Sequence, residues 1–236
     1  MSDEAIVRFS PWRRAEHLAI MLVFLLLCVT GLPQKFFEQG WARWTIDMVG
    51  GVERARWLHR ASGLLFAALT ILHLAGAAWL VATRRARLSL VPDRKDFADA
   101  VMSVKYYLGL VQTHPRFDRY DYRQKFEYWG MLLGSLVVIG TGIVLLWPAT
   151  FAQYLPGQLI PVSKVAHSNE GLMAFLVIIT WHIYNAHLSP DVFPFDGSIF
   201  TGRISEERMR HEHPLEYERM TAARDAKRDT PLVKTG

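Results

Sequence analysis

Apolar positions along this chain gather into four blocks instead of alternating with polar ones. The blocks cover residues 16–32, 57–82, 127–148 and 165–188. Each is near the ~20 residues that cross a hydrocarbon core as a helix, the first being the shortest. Strands of a membrane barrel would alternate with period two, and none of these blocks does. Helix-breaking punctuation follows each run: Gly31 and Pro33, then Thr83-Arg84-Arg85, then Pro148, then Pro190. Four such runs in succession argue against buried helices of a soluble domain. The pattern predicts an all-α fold, an integral membrane four-helix bundle over residues 1–202. A charged C-terminal extension follows at 203–236.

The segments between the blocks give an orientation. From Thr83 to Lys125 the chain carries Arg84, Arg85, Arg87, Arg94, Lys95, Lys105, Arg116, Arg119, Arg123 and Lys125, whereas the loop after the third block offers only Lys164. Lys and Arg are retained on the cytoplasmic side, so both termini and the long middle loop are expected there. The first outer loop carries Lys35, Arg43, Arg54 and Arg56, partly offset by Glu38, Asp47 and Glu53, which blurs this signal without reversing it. Within the middle loop, residues 96–110 are expected to form an interfacial helix, N-capped by Asp93 after Pro92. The tail after Gly202 is charged and proline-punctuated, and is expected to order on a partner.

Composition changes the picture in three places. The formal charge of +5 follows from the cytoplasmic excess of basic residues, and no basic stripe interleaved with aromatics suggests a nucleic-acid partner. Membrane lipid is the expected surrounding. Cys28 is the single cysteine, so iron–sulfur clusters and covalently attached c-type haem must belong to a partner chain. Residues 1–14 carry charges without the short apolar core of a cleaved signal peptide.

Histidines supply the candidate chemistry. His17, His59, His73, His167, His182 and His187 fall in or at the ends of the blocks. Ionisable residues at membrane depth are costly and usually face an interior site. His59 and His73 lie fourteen residues apart, which places them on one helix face to within about 40°. His167 and His182 lie fifteen apart, about 60° from alignment. Each pair is separated by roughly 21–23 Å along its helix. The second and fourth blocks both begin on the outer side, so His59 and His167 share one depth, and His73 and His182 another. Two levels of facing imidazoles are what two haem b groups need, each iron closed by a nitrogen on both sides and suited to electron transfer. His59-Arg-Ala-Ser-Gly63 and His167-Ser-Asn-Glu-Gly171 repeat a histidine with a glycine one turn on. Gly63 and Gly171 are therefore candidates for haem packing. Arg13, Arg14, Arg60 and Lys164 are candidates to pair with propionates.

Further residues carry a family likeness over nearly all of the membrane portion. They are Arg13-Arg14-Ala-Glu-His17, Thr30-Gly31, His59-Arg-Ala-Ser-Gly63, Arg119-Tyr-Asp-Tyr-Arg-Gln-Lys125, Thr141-Gly142, Leu146-Trp147-Pro148, Phe151-Ala-Gln-Tyr154, His167, Trp181-His182-Ile-Tyr184 and Gly202. In their order and spacing the chain resembles the gamma, cytochrome b subunit of membrane-bound formate dehydrogenases and related respiratory di-haem cytochromes b. The resemblance implies haem-iron ligation by His59 and His167 at the outer level and by His17 and His182 at the inner level. Helical arithmetic alone offers His73 as the partner of His182, so His73 is an alternative inner ligand and a third haem stays open.

The resemblance also implies quinone as the electron carrier at the inner haem. Asp121, Gln124 and His187 are candidates for holding it or passing protons to it. The expected role is an electron-transfer subunit of a respiratory oxidoreductase, with no substrate-activating site and no catalytic residue of its own. An outer-face iron–sulfur or multihaem cytochrome subunit is the expected partner, and the location is the bacterial inner membrane. Alternatives are a haem-bearing membrane anchor, a quinol-oxidising subunit feeding a c-type cytochrome, or, with least support, a histidine-lined transporter.

Overall fold

The computed structural model describes residues 5–85, 87–190 and 192–228. The last residues of the expected extension, 229–236, lie outside them. The described chain is built almost wholly from helices: α1 (Pro11–Lys35), α2 (Gly40–Val49), α3 (Val52–Ala82), α4 (Arg94–Tyr107), α5 (Tyr122–Leu146), α6 (Pro148–Tyr154), α7 (Leu159–Leu188), α8 (Ser198–Thr201), α9 (Glu206–Glu212) and α10 (Pro214–Arg228). Two short strands, β1 (Ala5–Val7) and β2 (Arg203–Ser205), complete it. The described residues form two compact units, one within 11–87 and 129–196, the other within 5–10, 88–128 and 197–228.

The first unit holds the apolar blocks. Helices α1, α3, α5 and α7 are each long and apolar enough to cross a membrane. All four outrun their apolar blocks, because turns such as Pro11–Arg14 and Glu53–Arg56 are polar yet helical. Close backbone packing joins α1 to α3 and to α7. Tryptophans stand exposed at helix ends, among them Trp12, Trp57 and Trp147, where amphipathic rings favour the membrane–water boundary. The short helix α2 ends at Gly50, whose φ of 99° is open to glycine at no steric cost. The Gly51 N–H then closes the turn on the Ile46 carbonyl. Helix α7 is α-helical to Val177 and then winds as π turns over Ile178–His182 and Tyr184–Leu188.

The second unit gathers segments far apart in sequence. β1 pairs antiparallel with β2, Ile6 opposite Ile204. Ile6, Ile204 and Met209 form a small core, covered by Tyr217 and Met220. The residues after Gly202 therefore do not stand apart as a tail. Their described portion folds with the chain's beginning and with residues 88–128.

Helix α4 carries the Asp93 N-cap expected at its start, closed as a capping box: Asp93 accepts from the Lys95 and Asp96 amides, and Asp96 accepts from the Asp93 amide. Its packing is inside out. Asp96, Asp99 and Ser103 are buried, Asp96 taking a hydrogen bond from Lys125 Nζ at 2.8 Å. Phe97, Val101, Val104 and Leu108 face outward, the arrangement a helix adopts when its apolar stripe lies on a bilayer surface.

A buried ionic cluster fixes this unit. Arg8 pairs with Glu216, and Arg119 donates to the same carboxylate at 2.6 Å. Arg8 Nη2 also donates to His213 Nε2 at 3.1 Å, while His213 Nδ1 donates to the Asp118 carbonyl at 2.9 Å. Both ring nitrogens thus have partners that suit a neutral imidazole. Burial, with Arg8 beside it, pushes His213 down from 6.5 to about 4. Above pH 6.5 the ring is neutral folded or unfolded. As pH falls towards 4, the unfolded chain takes up a proton that the folded ring refuses, so stability is lost progressively, up to about 3 kcal/mol. Hydrogen exchange of residues 206–226 in the full chain, corrected for intrinsic rates, should therefore accelerate between pH 7 and pH 5. His213→Gln should flatten that dependence. An unchanged slope in the variant would assign the acid sensitivity to other groups.

Candidate haem-binding site

Four of the predicted histidines meet in pairs within the membrane unit. His59, in the second turn of α3, faces His167 of α7 with ring centres 6.1 Å apart and ring planes at 84°. His17 of α1 faces His182 of α7 with ring centres 6.2 Å apart and planes at 32°. Both separations suit one metal between two rings. An imidazole nitrogen binds a transition metal at about 2.0 Å, so two rings facing one iron stand about 6 Å apart, centre to centre.

The π turns explain how His182 arrives. Fifteen residues of regular α-helix would leave it about 60° out of line with His167. Residues in a π turn advance less per step, so the winding over Ile178–His182 rotates His182 back towards the face of His167. Hydropathy carries no trace of this change of pitch.

His73 lies against a carboxylate of α1. Its Nδ1 is 2.8 Å from Glu16 Oε1, and Glu16 also takes a hydrogen bond from Arg13 at 2.8 Å. His73 and His17 therefore contribute differently at this end of the bundle. His17 faces the other histidine, whereas His73 is bound to the carboxylate next to His17 in sequence. Arg13, a propionate candidate, is engaged by the same carboxylate.

Nitrogen bookkeeping at the other pair is equally definite. His59 Nδ1 lies 3.1 Å from Thr30 Oγ1, and the Leu27 carbonyl accepts from the same ring. His167 Nδ1 lies 3.0 Å from the Val138 carbonyl and 3.2 Å from Thr141 Oγ1. With Nδ1 occupied, Nε2 of each ring is the atom left for a metal. Such partners orient a histidine ligand and raise its basicity.

Space beside the pairs tests whether a porphyrin fits. A methyl group built on Gly63 or on Gly171 would meet nothing within 4 Å. The chain therefore leaves room one turn beyond each of these histidines, where the sequence repeat places its glycines. The donor set, the ring separations and the open faces all suit haem.

The remaining candidates have contacts of their own. Asp121 accepts from the Gln124 amide at 2.8 Å and from Arg123, while the Gln124 side chain accepts from the Asp121 amide at 3.1 Å. That reciprocal pair caps the start of α5. His187, in the second π turn, stacks on Phe195 with ring centres 4.4 Å apart. Sequence reasoning about the site missed the roles of Thr30, Thr141 and Glu16. The signal available for the threonines was the repeated Thr-Gly dipeptide, at 30–31 and 141–142.

Comparison with known proteins bears on the same segments. Residues 8–191 match the family described as prokaryotic cytochrome b561. The chain is 26% identical over 232 residues to the cytochrome b556(Fdn) subunit of the nitrate-inducible formate dehydrogenase of Escherichia coli K12, covering 97% of each chain. A Shigella flexneri protein of the same description matches equally. The formate dehydrogenase cytochrome b556 subunit of Haemophilus influenzae is 24% identical over 219 residues, covering 92% of this chain and 84% of that one.

Proposed function

This chain belongs to the prokaryotic cytochrome b561 family, and from that premise we propose that it is the di-haem subunit of a respiratory oxidoreductase, carrying electrons between an outer-face partner and the quinone pool. It is a multi-pass protein of the bacterial inner membrane, and its cofactor class is haem b. His59 with His167 would hold one haem, and His17 with His182 the other. When bound, haem b would supply a one-electron carrier, and being held by two histidines would favour electron transfer over oxygen chemistry.

The observation that carries this reading is the presence of two facing histidine pairs, at 6.1 Å and 6.2 Å, at two levels of one helix bundle. The residues of the chain divide the work. Thr30 and Thr141 hold the Nδ1 sides of His59 and His167, the glycines at 63 and 171 leave the porphyrin faces clear, and the apolar helices exclude water. His73 is read as the partner of Glu16 and not as a ligand. With the basic loops cytoplasmic, the His59 level lies outward and the His17 level inward.

The named relatives are formate dehydrogenase subunits, so a formate-oxidising complex delivering electrons through an iron–sulfur subunit is the proposed outer partner. Quinone reduction is placed at the inner level, with His187 as the proposed proton-passing group. Purified protein with haem bound should show reduced b-type bands when a quinol analogue is added. Bound haem that no quinol analogue reduces would overturn the quinone link.

A further inference from the structure

The two histidines of the outer level are held by the same device, used twice. Thr30 Oγ1 donates to the Leu26 carbonyl at 2.7 Å, four residues back on its own helix. Thr141 Oγ1 donates to the Val137 carbonyl at 2.6 Å, again four residues back. Each hydroxyl has thereby spent its proton and turns a lone pair towards Nδ1 of the facing histidine, His59 or His167. The ring must be the donor, which sets the tautomer as Nδ1–H and leaves Nε2 bare. Three residues before each threonine, the Leu27 carbonyl accepts from the His59 ring and the Val138 carbonyl accepts from His167 Nδ1.

The residue after each threonine is glycine, and both glycines sit against the ring just described. A Cβ on Gly31 would come within 2.8 Å of His59 Cε1, and one on Gly142 within 3.1 Å of His167 Cε1. No side chain other than hydrogen leaves the rings where they are. The pairs lie near the ends of α1 and α5, each serving the histidine near the start of the following long helix, α3 or α7. For the inner pair, His17 and His182, no such glycine contact occurs among the described residues.

We propose that Thr30-Gly31 and Thr141-Gly142 are matched seats that fix the tautomer and rotation of the two outer histidines, holding their rings near perpendicular. This rests on the di-haem reading and adds to it the positioning residues and their consequence. Iron between perpendicular imidazoles keeps two of its d orbitals nearly equal in energy, which makes the oxidised low-spin signal strongly anisotropic. Planes at 32° separate those orbitals more. The two haems should therefore differ in electron paramagnetic resonance, the outer one giving the larger maximum g value. Each threonine acceptor also adds anionic character to its ligand and favours ferric iron.

The test uses full-length protein with haem bound and three variants: Thr30→Val with Thr141→Val, the same positions as Ser, and Gly31→Ala. The valine pair should keep its shape while losing both hydroxyl acceptors, the Leu27 and Val138 carbonyls remaining. Its high-g signal should shift to lower g and its outer midpoint potential should rise. The serine pair, retaining both hydroxyls, should restore both readouts. Gly31→Ala should move the signal by pressing on the His59 ring while leaving both threonine hydroxyls in the chain. If the protein carries two haems and the valine pair matches wild type in signal and potential, the seats are overturned. If the wild-type chain binds no haem b, or His59→Ala keeps both haems, the underlying di-haem reading fails instead.

Discussion

Replacing either His59 or His167 with alanine is expected to halve the haem b content of the purified protein, the remaining haem keeping its spectrum. The reason is geometric. The two rings face each other across 6.1 Å, on helices that begin at the same end of the bundle. Each ring presents Nε2 because its Nδ1 is already bonded to protein. On the proposed di-haem reading, an alanine at either position would remove one of the two nitrogens that would hold that haem. The other pair draws on different turns of α1 and α7, so it is left intact. Haem extraction with quantification per chain reads the outcome. A variant that keeps two haems would remove His59 and His167 as ligands.

At the other level, His17→Ala and His73→Ala are expected to part company. His17 faces His182 at 6.2 Å, whereas the Nδ1 of His73 lies 2.8 Å from Glu16. His17→Ala and His182→Ala should each remove the inner haem completely and spare the outer one. His73→Ala should retain both haems, at a cost in stability. Removing one partner of a part-buried hydrogen bond to a carboxylate costs on the order of 1–3 kcal/mol. Haem content of these three variants, read beside their thermal stability, separates a ligand from a supporting residue. Loss of the inner haem in His73→Ala, with both retained in His17→Ala, would reverse the assignment.

The membrane helices were legible because hydrocarbon imposes one requirement on every residue of a span. Hydropathy read only their apolar lengths. Polar first turns such as Pro11–Arg14 and Glu53–Arg56 are helical all the same, so the helices run beyond the blocks. The Asp93 cap of α4 was legible for a local reason, since both halves of its capping box lie within four residues. The pairing of Ala5–Val7 with Arg203–Ser205 was not, because nothing in either tripeptide names a partner nearly two hundred residues away.

The histidines divide in the same manner. Spacing put His59 and His73 on one face of α3, and both do lean on α1: His59 on Thr30, His73 on Glu16. Periodicity cannot say which neighbouring side chain waits there. It also assumed a uniform pitch for α7, which the π turns at Ile178–His182 break. The Thr-Gly seats were visible as dipeptides, but their meaning depends on which imidazole lies opposite. That is a fact of packing between helices, not of order along the chain.

Two haem sites are expected in one bundle, and counting them in the intact protein is the most direct test. Haem extracted from the purified full-length chain should be non-covalent haem b at two per polypeptide. A potentiometric titration of the reduced bands should resolve two one-electron steps. A single haem per chain, or a preparation with none after haem-replete expression, would contradict it.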